Sequence, residues 1–147
     1  LELALPPDDR VAVATAISEV LRAEGRRTLV PKLEAFAHRH DLRYVRASVR
    51  GQRSVWGSCS SSGTVSLNWK LLFLSPELVD YVLLHELAHT RHLDHSRAFW
   101  NLLETLEPAA RTLDRELAGA ARLVPPWLEL VRRPTVPQGS GHAARSA

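Results

Sequence analysis

The chain has 147 residues, 45% of them hydrophobic, which is enough for one domain with a real core and too few for two ordinary domains. The formal net charge is +3, the single cysteine excludes an internal disulfide framework and suits a reducing compartment, and no apolar run is long enough to span a membrane. We therefore predict a cytoplasmic protein with one domain at residues 1–130 and a disordered tail at 131–147.

The charged residues are unevenly placed along the chain. Residues 22–53 contain nine Lys or Arg against three Asp or Glu, a local net charge of +6, whereas residues 71–130 contain five against nine. A basic region of this kind predicts weak, non-specific DNA binding, and a solvated basic surface is the plainer interpretation. The arginines concerned are Arg22, Arg26, Arg27, Arg39, Arg43, Arg46, Arg50 and Arg53.

The first forty residues carry two helical patterns. Asp8 is placed to cap a helix over about Asp9–Glu24, and Gly25 is expected to end or loosen it. A second helix is predicted over about Thr28–His40, where Pro31 is tolerated only in the first turn.

The pattern then changes to strands. Alternating residues over Arg43–Arg50 predict a half-buried strand, and a short extended piece follows at Ser54–Trp56. A turn at Ser60–Gly63 leads into a strand at Thr64–Asn68. Together these pieces predict a small antiparallel sheet, in which Cys59 is interpreted as a packing residue because no activating base lies in its own segment.

The sequence His85-Glu-Leu-Ala-His89 lies in an apolar helical segment that starts with Ser75 as cap and Pro76 in the first position. On a helix the two histidines leave one face about 6 Å apart along the axis, so one zinc ion can bind both. Glu86 lies about 100° around the helix, where its carboxylate can take a proton from the water that zinc activates. This H-E-x-x-H pattern predicts a zinc peptidase site.

The third zinc ligand is sought among His92, Asp94, His95 and a downstream glutamate. On a continued helix His92 would lie about 10 Å along the axis from His85, which is too far to share one ion. A turn at Leu93-Asp94 can bring His95 back over the metal. We therefore predict one zinc bound by the three residues His85, His89 and His95, followed by a helix that Ser96 caps and that ends near Leu106, and a further helix from about Pro108 to Ala121.

Five segments together resemble one family, the YgjP-type zinc metallopeptidases, which are related to the SprT and WLM peptidases. They are Arg53–Ser60 (RSVWGSCS), Val65–Asn68 (VSLN), Val79–Val82 (VDYV), His85–His89 (HELAH) and His95–Trp100 (HSRAFW). The resemblance is close over about residues 40–117. It implies a compact α+β zincin-like domain with an H-E-x-x-H active-site helix, and an extended peptide substrate paired with the strand Thr64–Asn68.

We therefore expect a zinc-dependent peptidase in which Glu86 is the general base. A metzincin is the nearest rival, but His92 stands where its turn glycine is expected and the chain has no methionine for a Met-turn. The rival from another class is a DNA-associated binding module with a structural zinc site. A general-base carboxylate and a ligand set that leaves one position open favour catalysis over that alternative.

Overall fold

The structure is a computed structural model that describes residues 5–130 and 143–145. Its first element is one continuous helix, α1, Pro7–Arg39, rather than the two helices predicted from the sequence. Pro6 precedes the helix, so Asp8 lies in the first turn and is not its cap.

Two residues that usually interrupt helices lie inside α1. Gly25 is buried, and a Cβ atom there would lie 3.0 Å from Cγ1 of Val49, so glycine allows the helix to approach the sheet closely. Pro31 lies on the exposed side, while Leu29 and Leu33 on either side of it are buried. Tertiary packing along the helix therefore outweighs the local penalty of about 1 kcal/mol for the glycine and about 3 kcal/mol for the proline.

Within the described residues, four short strands form one mixed sheet. They are β1 Arg46–Arg50, β2 Gly57–Ser60, β3 Thr64–Asn68 and β4 Ala143–Arg145, in the order β1-β3-β2-β4. β2 is antiparallel to both β3 and β4, whereas β1 is parallel to β3. The predicted α+β class is confirmed. The sheet is not wholly antiparallel as the sequence predicted, because β1 pairs with β3 in parallel.

The parallel pair arises because the chain crosses over between β1 and β2. The crossover is held by the side-chain amide of Asn68, which donates to the carbonyl oxygens of Gln52 at 2.8 Å and Val55 at 2.9 Å. As a result β3 lies between β1 and β2, and both of its edges are already paired. The prediction that Thr64–Asn68 pairs with a substrate is therefore wrong.

In the described part of the chain, three further helices follow β3: α2 Pro76–Ala88, α3 Arg97–Leu106 and α4 Ala110–Ala118. Short 3-10 helices lie at Trp69–Phe73, Ala120–Leu123 and Pro126–Leu130. The start of α2 and both ends of α3 agree with the sequence prediction, while α4 is shorter than expected because its last predicted turn is a 3-10 helix.

The core lies between the sheet and the helices. Buried apolar side chains from α1, from one face of the sheet and from α2 form one cluster, which α3, α4 and the residues up to Leu128 complete. Over the described residues, no helix combines the length and the apolar character needed to cross a bilayer.

The tail predicted to be disordered falls mostly on 131–142 and 146–147, which lie outside the described residues. Residues 143–145 are described, and they form β4 on the edge of β2.

Candidate metal centre

Helix α2 carries the first two histidines and the glutamate of the motif. The hydroxyl of Ser75 accepts a hydrogen bond from the backbone N–H of Leu78, and Pro76 occupies the first position, so the helix begins where its sequence predicts. His85 and Glu86 lie in its last turn, and His89 is the residue that ends it. All three side chains are buried. The site is therefore built on a rigid element in the core.

The turn after α2 brings a third histidine to the same place. The chain leaves the helix after Ala88, bends at residues 93–94 and enters α3, where the Ser96 hydroxyl accepts from the backbone N–H of Phe99. His95 precedes this cap and remains exposed. This arrangement confirms the predicted turn and leaves the site open to solvent on the side of His95.

The imidazoles of His85, His89 and His95 converge through their Nε2 atoms. Nε2 of His85 lies 3.2 Å from Nε2 of His89 and 3.3 Å from Nε2 of His95. Among the described residues this is the group of side chains that could hold a metal ion, with one nitrogen from each residue and all three within 4.8 Å of one another. The side chain of His92 does not belong to the group.

Hydrogen bonds on the far side of two rings show where their protons lie. Nδ1 of His89 is 2.8 Å from the backbone carbonyl oxygen of His92, which can only accept, so this Nδ1 carries a hydrogen. Nδ1 of His85 is 3.1 Å from the hydroxyl of Tyr81, and that hydroxyl donates to Asp114 at 2.8 Å. The Tyr81 oxygen therefore accepts from His85, whose Nδ1 also carries a hydrogen.

Burial keeps both rings neutral. It lowers the pKa of His85 to about 2 and that of His89 to about 4, the neighbouring imidazoles adding to the shift of His85. Burial also raises the pKa of Tyr81, with the hydrogen bond to Asp114 contributing, so the phenol keeps its proton. Each of the two Nε2 atoms thus presents a lone pair to the other.

Two lone pairs 3.2 Å apart repel unless a cation lies between them. Ligand nitrogens at roughly 2.0 to 2.1 Å from a tetrahedral zinc would be about 3.3 Å apart, which agrees with both measured separations. The donor set and its spacing therefore fit a single small cation of the zinc type.

Phe99 contacts all three imidazoles. Its ring stacks on His89 with centroids 4.4 Å apart and meets the rings of His85 and His95 edge-on, each at 5.0 Å. Because Phe99 is fully buried and held by the Ser96 cap, it fixes the orientation of the rings and keeps water from their inner side.

Glu86 lies against strand β2. A Cβ atom at Gly57 would lie 3.0 Å from Cγ and 3.3 Å from Cδ of Glu86, so glycine lets β2 pass this close to the carboxylate without displacing it. Cys59, two residues along the same strand, is fully buried, and burial together with the charge of Glu86 raises the pKa of its thiol to about 11. Cys59 is therefore a neutral packing residue, as its sequence context predicted.

The sequence matches the YgjP-like metallopeptidase domain over residues 2–120, which is most of the chain. The chain belongs to the YgjP-like metallopeptidase family. This result confirms the resemblance seen in the sequence and makes the protein a hydrolase of peptide bonds with a metal cofactor.

Solved structures of two archaeal proteins have the same fold as this YgjP-like chain. The metallopeptidase zymogen abylysin of Pyrococcus abyssi is 26% identical, with a TM-score of 0.56 over 65% of this chain and 95% of that one. The metallopeptidase zymogen jannalysin of Methanocaldococcus jannaschii is 17% identical, with a TM-score of 0.54 over 65% and 97%. The second likeness shows the fold alone. No curated protein matches the sequence significantly.

The three histidines that converge in this YgjP-like chain were predicted from the sequence, whereas the side chains behind them were not. Gly57, Tyr81 and Asp114 reach the site from three separate elements, and Phe99 reaches it from a fourth, α3. The single available signal was Tyr81, which lies one helical turn before His85 and so shares its face.

Proposed function

We propose that this metallopeptidase binds one zinc ion through His85, His89 and His95 and that Glu86 is its general base. The observation that carries the proposal is the convergence of three Nε2 atoms beside a buried glutamate. Zinc is favoured among metals because its sites use neutral imidazoles and, when catalytic, three protein ligands with one open position.

The chemistry that zinc supplies in such a site is a water pKa of about 7 and polarisation of the scissile carbonyl. The remaining work is done by the chain itself. The Glu86 carboxylate accepts a proton from the attacking water and later delivers it to the leaving amine. The protons on Nδ1 of His85 and of His89 keep both Nε2 atoms free to bind the metal.

Strand β2 is the best candidate for pairing with an extended substrate. It passes against Glu86 at Gly57, and its outer edge holds residues 143–145 as an antiparallel strand over Ser58–Ser60. That pairing supports the edge as a place where an extended peptide can add to the sheet. A substrate bound there would have to replace residues 143–145.

Two earlier predictions stay predictions. Weak DNA binding gains no support from the arrangement of the arginines: Val49 packs on α1, so the alternation of β1 turns Arg46 and Arg50 to the face of the sheet away from α1 and its basic side chains. A cytoplasmic location rests on the single cysteine and the lack of a membrane-length apolar run.

Removal of the metal tests the proposal directly. Chelation should abolish cleavage of an unstructured protein such as casein, and zinc should restore it at about one ion per chain, because the site offers one set of three nitrogens. Metal content and proteolysis are measured on the same samples. Full activity after the metal has been removed, or zinc-loaded protein that cleaves no peptide in a broad library, would refute the enzymatic role.

A methyl group at Gly57 should impair catalysis without emptying the metal site. Gly57→Ala places a Cβ atom 3.0 Å from Cγ of Glu86, so the carboxylate must shift by a few tenths of an ångström. The rate should therefore fall, by less than the roughly hundredfold that a displacement of about 1 Å can cause. Zinc content should not change, because the histidines are not touched. The matched control is Gly119→Ala, whose Cβ meets its nearest atom at 3.9 Å. Equal activity of the two variants would show that the close approach has no catalytic role.

A further inference from the structure

Two polar side chains behind the histidines are joined to the metal site by hydrogen bonds. Tyr81 lies on α2, one turn before His85, and is fully buried. Asp114 lies on α4 and is half-buried. The Tyr81 hydroxyl joins them to the metal site, since it is 3.1 Å from Nδ1 of His85 and 2.8 Å from Oδ1 of Asp114.

The direction of this hydrogen-bond chain depends on Asp114. A phenol has a single hydrogen, and a carboxylate can only accept, so Tyr81 must give its hydrogen to Asp114. Its oxygen then has only lone pairs to offer to His85, which requires a hydrogen on Nδ1 and leaves Nε2 bare. Without the carboxylate the phenol could turn and donate to Nδ1, and the hydrogen of the neutral ring would move to Nε2, the atom that faces the metal position.

His89 does not depend on side chains in this way. Its Nδ1 donates to the main-chain carbonyl of His92, an acceptor that no substitution removes. The tautomer of His85, unlike that of His89, is therefore set by two replaceable residues, one of them on a different helix.

We propose that Asp114, acting through Tyr81, is a positioning residue that holds His85 in the tautomer with hydrogen on Nδ1 and so keeps its Nε2 ready for the metal. This inference rests on the proposed metal site. Outer partners of metal-binding histidines typically change metal affinity by about 10- to 100-fold when they are replaced. A purely structural alternative, in which the Tyr81 to Asp114 bond only ties α4 to α2, would lower stability but leave the tautomer unchanged.

The experiment reads the tautomer directly. Tyr81→Phe, Asp114→Ala, Asp114→Asn and the double variant are compared with the wild type, and Glu116→Gln, an exposed site on α4, is the matched control. The ¹⁵N shifts of the His85 ring are recorded on metal-free protein, the zinc affinity is measured by competition with a chelator, and thermal unfolding checks the fold.

In the wild type and the control, His85 should carry its hydrogen on Nδ1. Asp114→Ala should move the hydrogen towards Nε2 and weaken zinc binding by about 10- to 100-fold. Tyr81→Phe should weaken zinc binding by a similar factor. Adding Asp114→Ala to Tyr81→Phe should bring no further loss of affinity, because the aspartate acts through the phenol. Asp114→Asn keeps the shape of the side chain and one accepting oxygen, so its zinc affinity should lie between those of Asp114→Ala and the wild type.

An unchanged tautomer and affinity in folded Asp114→Ala, or in Asp114→Asn should the alanine variant not fold, would overturn the inference. So would additive losses in the double variant. A wild type that binds no zinc but shows the expected tautomers would instead refute the proposed metal site, so the two failures are distinguishable.

Discussion

Replacing Glu86 with glutamine is expected to lower peptide cleavage by about a hundred- to ten-thousand-fold while zinc stays bound, which is the usual loss when a positioned general base is removed. Glutamine keeps the size of the side chain, so the packing against Gly57 survives, but its amide cannot accept the proton from water. The three histidines are untouched. Thermal stability should therefore be maintained, since a neutral amide is no harder to bury than a carboxylate.

The measurement combines zinc content, thermal unfolding and proteolysis on the same two preparations. Glu77→Gln is a suitable control, because Glu77 is exposed in the first turn of the same helix. Unchanged proteolysis in zinc-loaded Glu86→Gln would contradict the assigned mechanism. A parallel loss of zinc and activity would mean that Glu86 serves the metal site rather than the proton transfer.

Replacing His95 with alanine should weaken zinc binding by more than the roughly 10- to 100-fold typical of an outer partner, because a ligand itself is lost. His92→Ala should change the affinity little. The His92 imidazole lies outside the cluster, and its backbone carbonyl, which accepts from Nδ1 of His89, remains after the substitution.

The two substituted histidines are three positions apart in one short turn, so general damage to the turn would weaken zinc binding in both variants. Zinc dissociation constants from chelator competition decide between the possibilities. An equal loss of zinc affinity in both variants, or a loss confined to His92→Ala, would show that His95 is not the third ligand.

The parts of the site that could be predicted from the sequence are those determined by neighbouring residues. Ser75 and Pro76 mark the start of α2, Ser96 marks the start of α3, and the spacing from His85 to His95 requires only a bend between two helices. Each of these signals acts over a few residues, so one short stretch contains all the information.

The parts that could not be predicted depend on contacts between distant segments. α1 continues through Gly25 because Val49 packs there, which overrides the local preference to stop. The parallel pairing of β1 with β3 depends on a crossover that no residue pattern marks. Asp114 reaches the site only because α4 packs against α2, and nothing in its own segment distinguishes it from a solvated acid.

The three histidines all come from residues 85–95, and this has a consequence for the assembly of the site. Closing so short a segment around an ion costs little conformational entropy, so the metal can join α2 to α3 before the sheet is in place. The surroundings of Glu86 require a longer loop to close, since Gly57 belongs to a strand that precedes α2 in the sequence. A heated or truncated preparation could therefore retain its zinc after β2 has detached, and its metal content would overstate the fraction of molecules able to cleave a peptide.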